Sequence, residues 1–253
     1  MSRRALVSLG TALWLAAVPA AQAEDKVNLQ RAAEVNAQLA ITYLKQEKLT
    51  AARDKIERAL DQNPRSSEVQ MAAGFVYDRL GDDRKAESHF QQAVKAGGKD
   101  NPLVLNNAGA FLCRKGDKKQ GEQYFLQAAA SALYPTPEFA YLNAGQCARA
   151  DGRPKDAERN FREALTIKPN LGDALYQLGD LLHTTGNDLQ ARAFVQRYHE
   201  VAPASPSSLW LGYSVERKLG DEAAAGEYAR RLRGEFAMST EAGQLFDAER
   251  AAQ

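Results

Sequence analysis

The chain reads as an all-α solenoid of helix–turn–helix units, and two observations predict it. Gly81, Gly116, Gly152, Gly186 and Gly220 recur at spacings of 35, 36, 34 and 34 residues, and Glu47 continues the register 34 residues before Gly81. Self-similarity at this period marks stacked helix pairs. Matching side-chain classes travel in the same register. A small residue stands seven places before each turn (Ala40, Gly74, Gly109, Gly145, Gly179, Gly212) and another five after it (Ala86, Gly121, Ala157, Ala191, Ala225). A bulky one follows after nine, as Phe90, Phe125, Phe161 and Val195, with Ala229 the weak member, and Pro64, Pro169 and Pro203 close units.

The pattern has a physical cause. Antiparallel helices approach closely only where side chains are small, which suits the residues seven before and five after the turn. The turn glycine supplies the positive φ that ends the first helix. The bulky residue nine later is expected to fill the space between its own unit and the next. One unit cannot bury its apolar face alone, so units stack on a continuous core. This is the tetratricopeptide pattern. It predicts six repeats in a right-handed superhelix, over 33–66, 67–100, 102–135, 138–171, 172–205 and 206–238, with a capping helix over 239–253.

Each repeat supplies its own packing residues. The first has Leu39, Ala40, Tyr43, Ala52, Ile56 and Ala59; the second Ala73, Gly74, Tyr77, Ala86, Phe90 and Ala93; the third Ala108, Gly109, Leu112, Phe125 and Ala128. Thr136 is expected to cap the fourth repeat, with Pro137 in its first turn. That repeat holds Ala144, Gly145, Ala157, Phe161 and Ala164, and the fifth holds Leu178, Gly179, Leu182, Ala191 and Val195. The sixth is degenerate: Leu211, Gly212 and Gly220 fit, but Glu216 stands where other repeats carry Tyr, Leu or Ala. No linker divides the array, so 24–253 reads as one domain.

The ends and composition bound the setting. With 33 basic and 32 acidic side chains, no net charge directs the chain to nucleic acid. Arg3 and Arg4, the apolar run Ala5 to Val18, Pro19 and Ala21-Gln22-Ala23 read as a signal peptide over 1–23, cleaved before Glu24. Residue 24 is Glu and the first cysteine is Cys113, so no lipid anchor is expected. After the N-terminus no run of 18 apolar residues occurs to span a membrane. Cys113 and Cys147 fall on first helices of adjacent repeats, where they could meet as a disulfide or stay buried as free thiols.

The sequence carries no phosphate-cradling loop, hydrolase elbow or zinc spacing. His89, His183 and His199 lie in three helices with no carboxylate or thiol at ligand spacing and read as satisfied or exposed surface histidines. No enzyme, cofactor, metal or small-molecule substrate is expected. Function then lies in surface shape. The fifth and ninth residues of each unit point into the concave face, and Ile41, Leu44, Met71 and Phe75 form an apolar strip at its N-terminal end. Asn106, Leu142, Tyr176 and Trp210 continue the face. Exposed apolar strips mark partner sites, unless Val27 and Leu29 fold over this one. Lys45, Arg79 and Arg114 form a basic row that either meets an acidic partner or is simply solvated.

Some segments exceed what repeat packing requires. Leu105-Asn106-Asn107-Ala108-Gly109-Ala110-Phe111-Leu112-Cys113, then Leu133-Tyr134-Pro135-Thr136-Pro137, then Asn143-Ala144-Gly145-Gln146-Cys147-Ala148 follow one another, and Leu209-Trp210-Leu211-Gly212 comes later. Together they resemble the PilF/PilW-type pilotins of type IV pilus biogenesis over roughly Ala33 to Gln244. The resemblance implies a six-repeat periplasmic protein that helps the outer-membrane secretin reach its membrane and assemble into a multimer, and the chain itself is expected to be a monomer. It also implies a Cys113–Cys147 bridge. Members typically carry a lipidated cysteine after the leader; here Glu24 stands in its place. A general periplasmic adaptor or chaperone scaffold with a non-pilus client is the competing reading.

Overall fold

The computed structural model describes residues 17–98 and 101–251, with side chains from Asp25 onward. Most of the expected leader, residues 1–16, lies outside the described residues. Every regular element among the described residues is helical. The chain divides into two compact units, one ending at Ala96 and one beginning at Gly97.

The first unit contains α1 (Ala17–Lys45), α2 (Leu49–Gln62), α3 (Ser67–Arg79) and α4 (Asp83–Ala93). A π-turn, Val94–Gly98, follows α4. The sequence reading drew no boundary here, yet Gly97-Gly98 is a strong breaker pair: it lacks side chains to carry a helix onward. The second unit contains α5 (Pro102–Lys115), α6 (Lys118–Ala129), α7 (Pro137–Ala150), α8 (Pro154–Ile167), α9 (Gly172–Thr184), α10 (Asp188–Val201), α11 (Pro206–Leu219), α12 (Glu222–Glu235) and α13 (Thr240–Ala251). Consecutive helices pair as hairpins, and α13 packs on α11 and α12 with Leu245 fully buried.

The small residues sit at the helix crossings. A Cβ at Gly74 would lie 2.9 Å from the Phe90 ring, and one at Gly145 only 2.5 Å from Phe161. Gly109 and Gly121 face each other so closely that a Cβ on Gly109 would meet the Gly121 carbonyl at 2.9 Å. The bulky residue nine after the turn therefore lies over the small residue of its own hairpin, rather than only between units. In the degenerate sixth repeat Tyr228 takes this place against Gly212, not Ala229.

Two turns depart from expectation. Gly81, Gly152, Gly186 and Gly220 adopt φ of 71–81°, but Gly116 ends α5 at φ −133° and ψ −138°, outside the left-handed region. In the first hairpin Glu47 itself occupies the left-handed region at φ 58°, a conformation costly for a residue with a Cβ. Thr136 takes the N-cap position of α7 without a side-chain capping bond. Leu39, expected to pack, is 36% exposed on α1. Glu216 is only 2% exposed, and Arg192 holds it with both Nε (3.1 Å) and a second guanidinium nitrogen. This fork replaces the apolar residue that other repeats carry at that position.

Candidate functional site

In the first unit α1 packs on α3, and their shared face is a groove of about 920 Å³. Its walls come from residues one repeat apart: Glu34 with Glu68, Ala37 with Met71, Gln38 with Ala72, Ile41 with Phe75, and Lys45 with Arg79, each pair 34 residues apart. The geometry follows from helical spacing, since positions 34, 37, 41 and 45 fall on one face of α1. Ala37 and Ala72 are buried and too small to fill the space between the helices, which leaves the floor open.

All four residues expected of the apolar strip line this groove. Ile41, Met71 and Phe75 are half-buried, whereas Leu44 is 9% exposed and serves as floor rather than wall. Phe75 stands edge-on to the buried Phe90 ring, with centroids 5.3 Å apart, so this wall rests directly on the core. Val27 and Leu29 do not cover the strip. Both lie on the same unbroken helix α1, about half exposed. The basic row is partly committed: Arg79 pairs with Glu47 at 2.5 Å.

The later candidates behave differently. Leu142 is a correction: at 4% exposure it belongs to the core cluster that includes Leu175 and Leu178, so it lines no open surface. Asn106 accepts a hydrogen bond from Asn143 at 3.3 Å. Tyr176 is half-buried and tilted against Tyr198, and the Ser207 hydroxyl donates to Glu241 at 2.6 Å. Trp210 stacks on Tyr213 beside the cluster under α13. Arg149 adds bonds to Gln177 (3.1 Å) and Asp180. These polar bonds bind α5 to α7, α7 to α9 and α11 to α13. The face therefore mixes mutually bonded polar groups with half-buried aromatic rings, instead of continuing the apolar strip.

Cys113 and Cys147 come together between α5 and α7, with Cα atoms 5.5 Å apart. Two histidines are satisfied, His89 by Gln70 (2.7 Å) and His183 by Asp188 (2.5 Å). Asp188 lies five residues beyond His183 and across a turn, a partner that helical spacing alone did not reveal. His199 differs: both ring nitrogens are buried without a well-formed hydrogen bond, between Tyr198 and Tyr228. Burial holds its pKa below the ordinary value, with the Ser208 backbone acting in the opposite sense. Among the described residues no group of three His, Cys, Asp or Glu is placed to hold a metal ion, and no helix is long and apolar enough to cross a membrane.

Paired helices with small residues at their crossings, and a groove on the first-helix face, define a repeat scaffold for protein–protein interaction. Two tetratricopeptide-repeat family models match the chain, over residues 37–102 and 148–210. The chain is 25% identical over 213 residues to the type IV pilus assembly protein PilF of Pseudomonas aeruginosa, covering 84% of each. A Haemophilus influenzae protein is 29% identical over 127 residues, covering 50% of this chain and 70% of its own. Among solved structures, P. aeruginosa PilF superposes with a TM-score of 0.70 at 24% identity, over 88% of this chain and 99% of its own. PilW, described as a widely conserved type IV pilus biogenesis factor, gives 0.70 at 29% identity, over 85% and 98%. The chain belongs to the tetratricopeptide-repeat proteins and is similar over most of its length to the type IV pilus proteins PilF and PilW.

Proposed function

We propose that this chain is a non-catalytic periplasmic assembly factor for type IV pili. It binds the outer-membrane secretin in the groove between α1 and α3 and promotes secretin localisation and multimerisation. The likeness to PilF and PilW supports the process. The observation that carries the site is the groove itself: half-buried Ile41, Met71 and Phe75 line it and no described residue closes it, while Asn106, Asn143, Arg149 and Asp180 on the first helices of the second unit bond to one another.

The test is capture of secretin from solubilised envelope by the mature chain and its variants. Binding energy concentrates in a few apolar anchors, so Phe75→Ala is expected to weaken capture about ten- to a hundredfold, or roughly 1–3 kcal/mol. Ile41→Glu, which leaves the Phe75–Phe90 contact intact, should do the same. Undiminished capture by both variants removes the groove from the account. Recovery of a non-pilus client instead of secretin favours the adaptor reading.

Two accompanying proposals have their own checks. Residues 1–23 act as an export signal, so the protein from its native host should begin at Glu24. Cys113 and Cys147 are oxidised, their Cα separation of 5.5 Å lying inside the disulfide range. Thiol titration of the unfolded, unreduced protein should then find no free thiol, and reduction should cost roughly 3–4 kcal/mol by loop entropy.

A further inference from the structure

The groove is electrically lopsided. Its lining holds four carboxylates, Glu34, Glu47, Glu68 and Asp78, against two cations, Lys45 and Arg79. The imbalance is concentrated at one end. Where α1 and α3 finish, Arg79 and Glu47 neutralise each other in a 2.5 Å pair, and the lining there also includes Lys45 and Asp78, in the last turns of the two helices. At the opposite end, Glu34 and Glu68 face the same space, and among the described residues no cation lines that end. Both are exposed, and Glu68 accepts a bond from Ser66 Oγ at 3.0 Å. Arg31, three residues before Glu34 on α1, and Arg65, in the turn that precedes α3, are exposed and not among the described residues that line the groove. Between the two ends the surface is Ala37, Ile41, Met71, Ala72 and Phe75, and Glu34 to Lys45 spans about 16 Å of helix.

We infer that the occupant is a peptide segment with an apolar centre and a positively charged end, and that it lies with that end over Glu34 and Glu68. The inference rests on the groove being the docking site. Its chemistry is complementary throughout: apolar anchors meet Ile41, Met71 and Phe75, and Lys or Arg side chains meet the carboxylate rung. Both glutamates are solvated, so the pairs contribute orientation and selectivity more than strength, and salt weakens them.

The test uses the full chain and three labelled synthetic peptides sharing one Leu- and Phe-containing centre, ended by two Lys, two Gln or two Glu. At low salt the Lys-ended peptide should bind about threefold to tenfold tighter than the Glu-ended one, with the Gln-ended one between. The difference should shrink in 0.5 M salt, where screening reaches within a few ångströms, on the order of the contact distance itself. Glu34→Gln/Glu68→Gln should abolish the preference while retaining the Gln-ended peptide. Equal binding of the three peptides, or a preference that survives in the double variant, overturns the inference. If in that event Phe75→Ala still abolishes binding, only the charge assignment has failed. Binding of all three undiminished by Phe75→Ala overturns the groove reading and the inference with it.

Discussion

Gly145→Ala pits two opposing effects against each other at a defined place. Replacing glycine by alanine inside a helix should stabilise by about 1 kcal/mol, from intrinsic propensity and from the smaller entropy of the unfolded chain. At this site the added methyl would lie 2.5 Å from two carbons of the Phe161 ring, far inside ordinary contact. Phe161 is fully buried beneath the α7–α8 hairpin, so it cannot swing toward solvent. Relief requires an off-rotamer ring or separation of the two helices, at roughly 1–3 kcal/mol for one inserted methyl in a tight core, and this contact is at the severe end. Overpacking wins, for a net loss of about 1–2 kcal/mol after the propensity gain is subtracted. Gly226→Ala is the internal control. Gly226 is exposed inside α12, and a Cβ there meets nothing within 4 Å, so the same substitution should stabilise by up to about 1 kcal/mol. Urea unfolding of both variants beside the parent, followed by circular dichroism, reads the two signs. A Gly145→Ala protein as stable as the Gly226→Ala protein would refute the claim that small residues are required at the crossings.

Three further predictions follow from single sites. Glu47→Gly should raise stability by up to about 1 kcal/mol in thermal unfolding, because φ 58° strains a side-chain-bearing residue and the Arg79 pair it gives up is exposed. Arg192→Ala should cost about 2–4 kcal/mol in denaturant unfolding, since it strands the buried Glu216 carboxylate; a variant within 0.5 kcal/mol of the parent would contradict that reading. His199 should make the fold acid-sensitive. Its folded pKa lies below the ordinary 6.5, so as pH falls below 6.5 the unfolded chain takes up the proton first. Stability therefore declines until the folded-state pKa is passed, and His199→Leu should flatten the decline measured by melting temperature against pH.

The helical array was legible because steric demand writes a strong, periodic signal: glycine or alanine at each crossing and a large residue opposite it. Buried positions such as Phe90, Phe125 and Phe161 follow from that period. The N-terminal apolar strip was also legible, since residues one repeat apart must lie side by side on neighbouring first helices. What escaped depends on neighbours rather than on register. Leu142 occupies the same repeat position as Met71, yet a leucine-rich α9 packs beside it and draws it into the core. Tyr228 fills the Gly212 crossing one residue earlier than the consensus place, which only the hairpin geometry reveals. Gly116 and Glu47 exchange the roles their residue types suggest, because the path of the turn, not the residue, sets φ. The division at Gly97 was signalled by the Gly-Gly pair, but a continuing repeat register masked it.

The measurement that bears most directly on the central claim is secretin assembly in cells carrying Phe75→Glu. Phe75 lies at the groove wall, and a carboxylate there would place a charge against the apolar anchor of any segment seated beside it. Circular dichroism and immunoblotting would establish that the variant is folded and as abundant as the parent. Multimeric secretin and surface pili should then be lost. Normal secretin multimers in cells containing folded Phe75→Glu protein would contradict it.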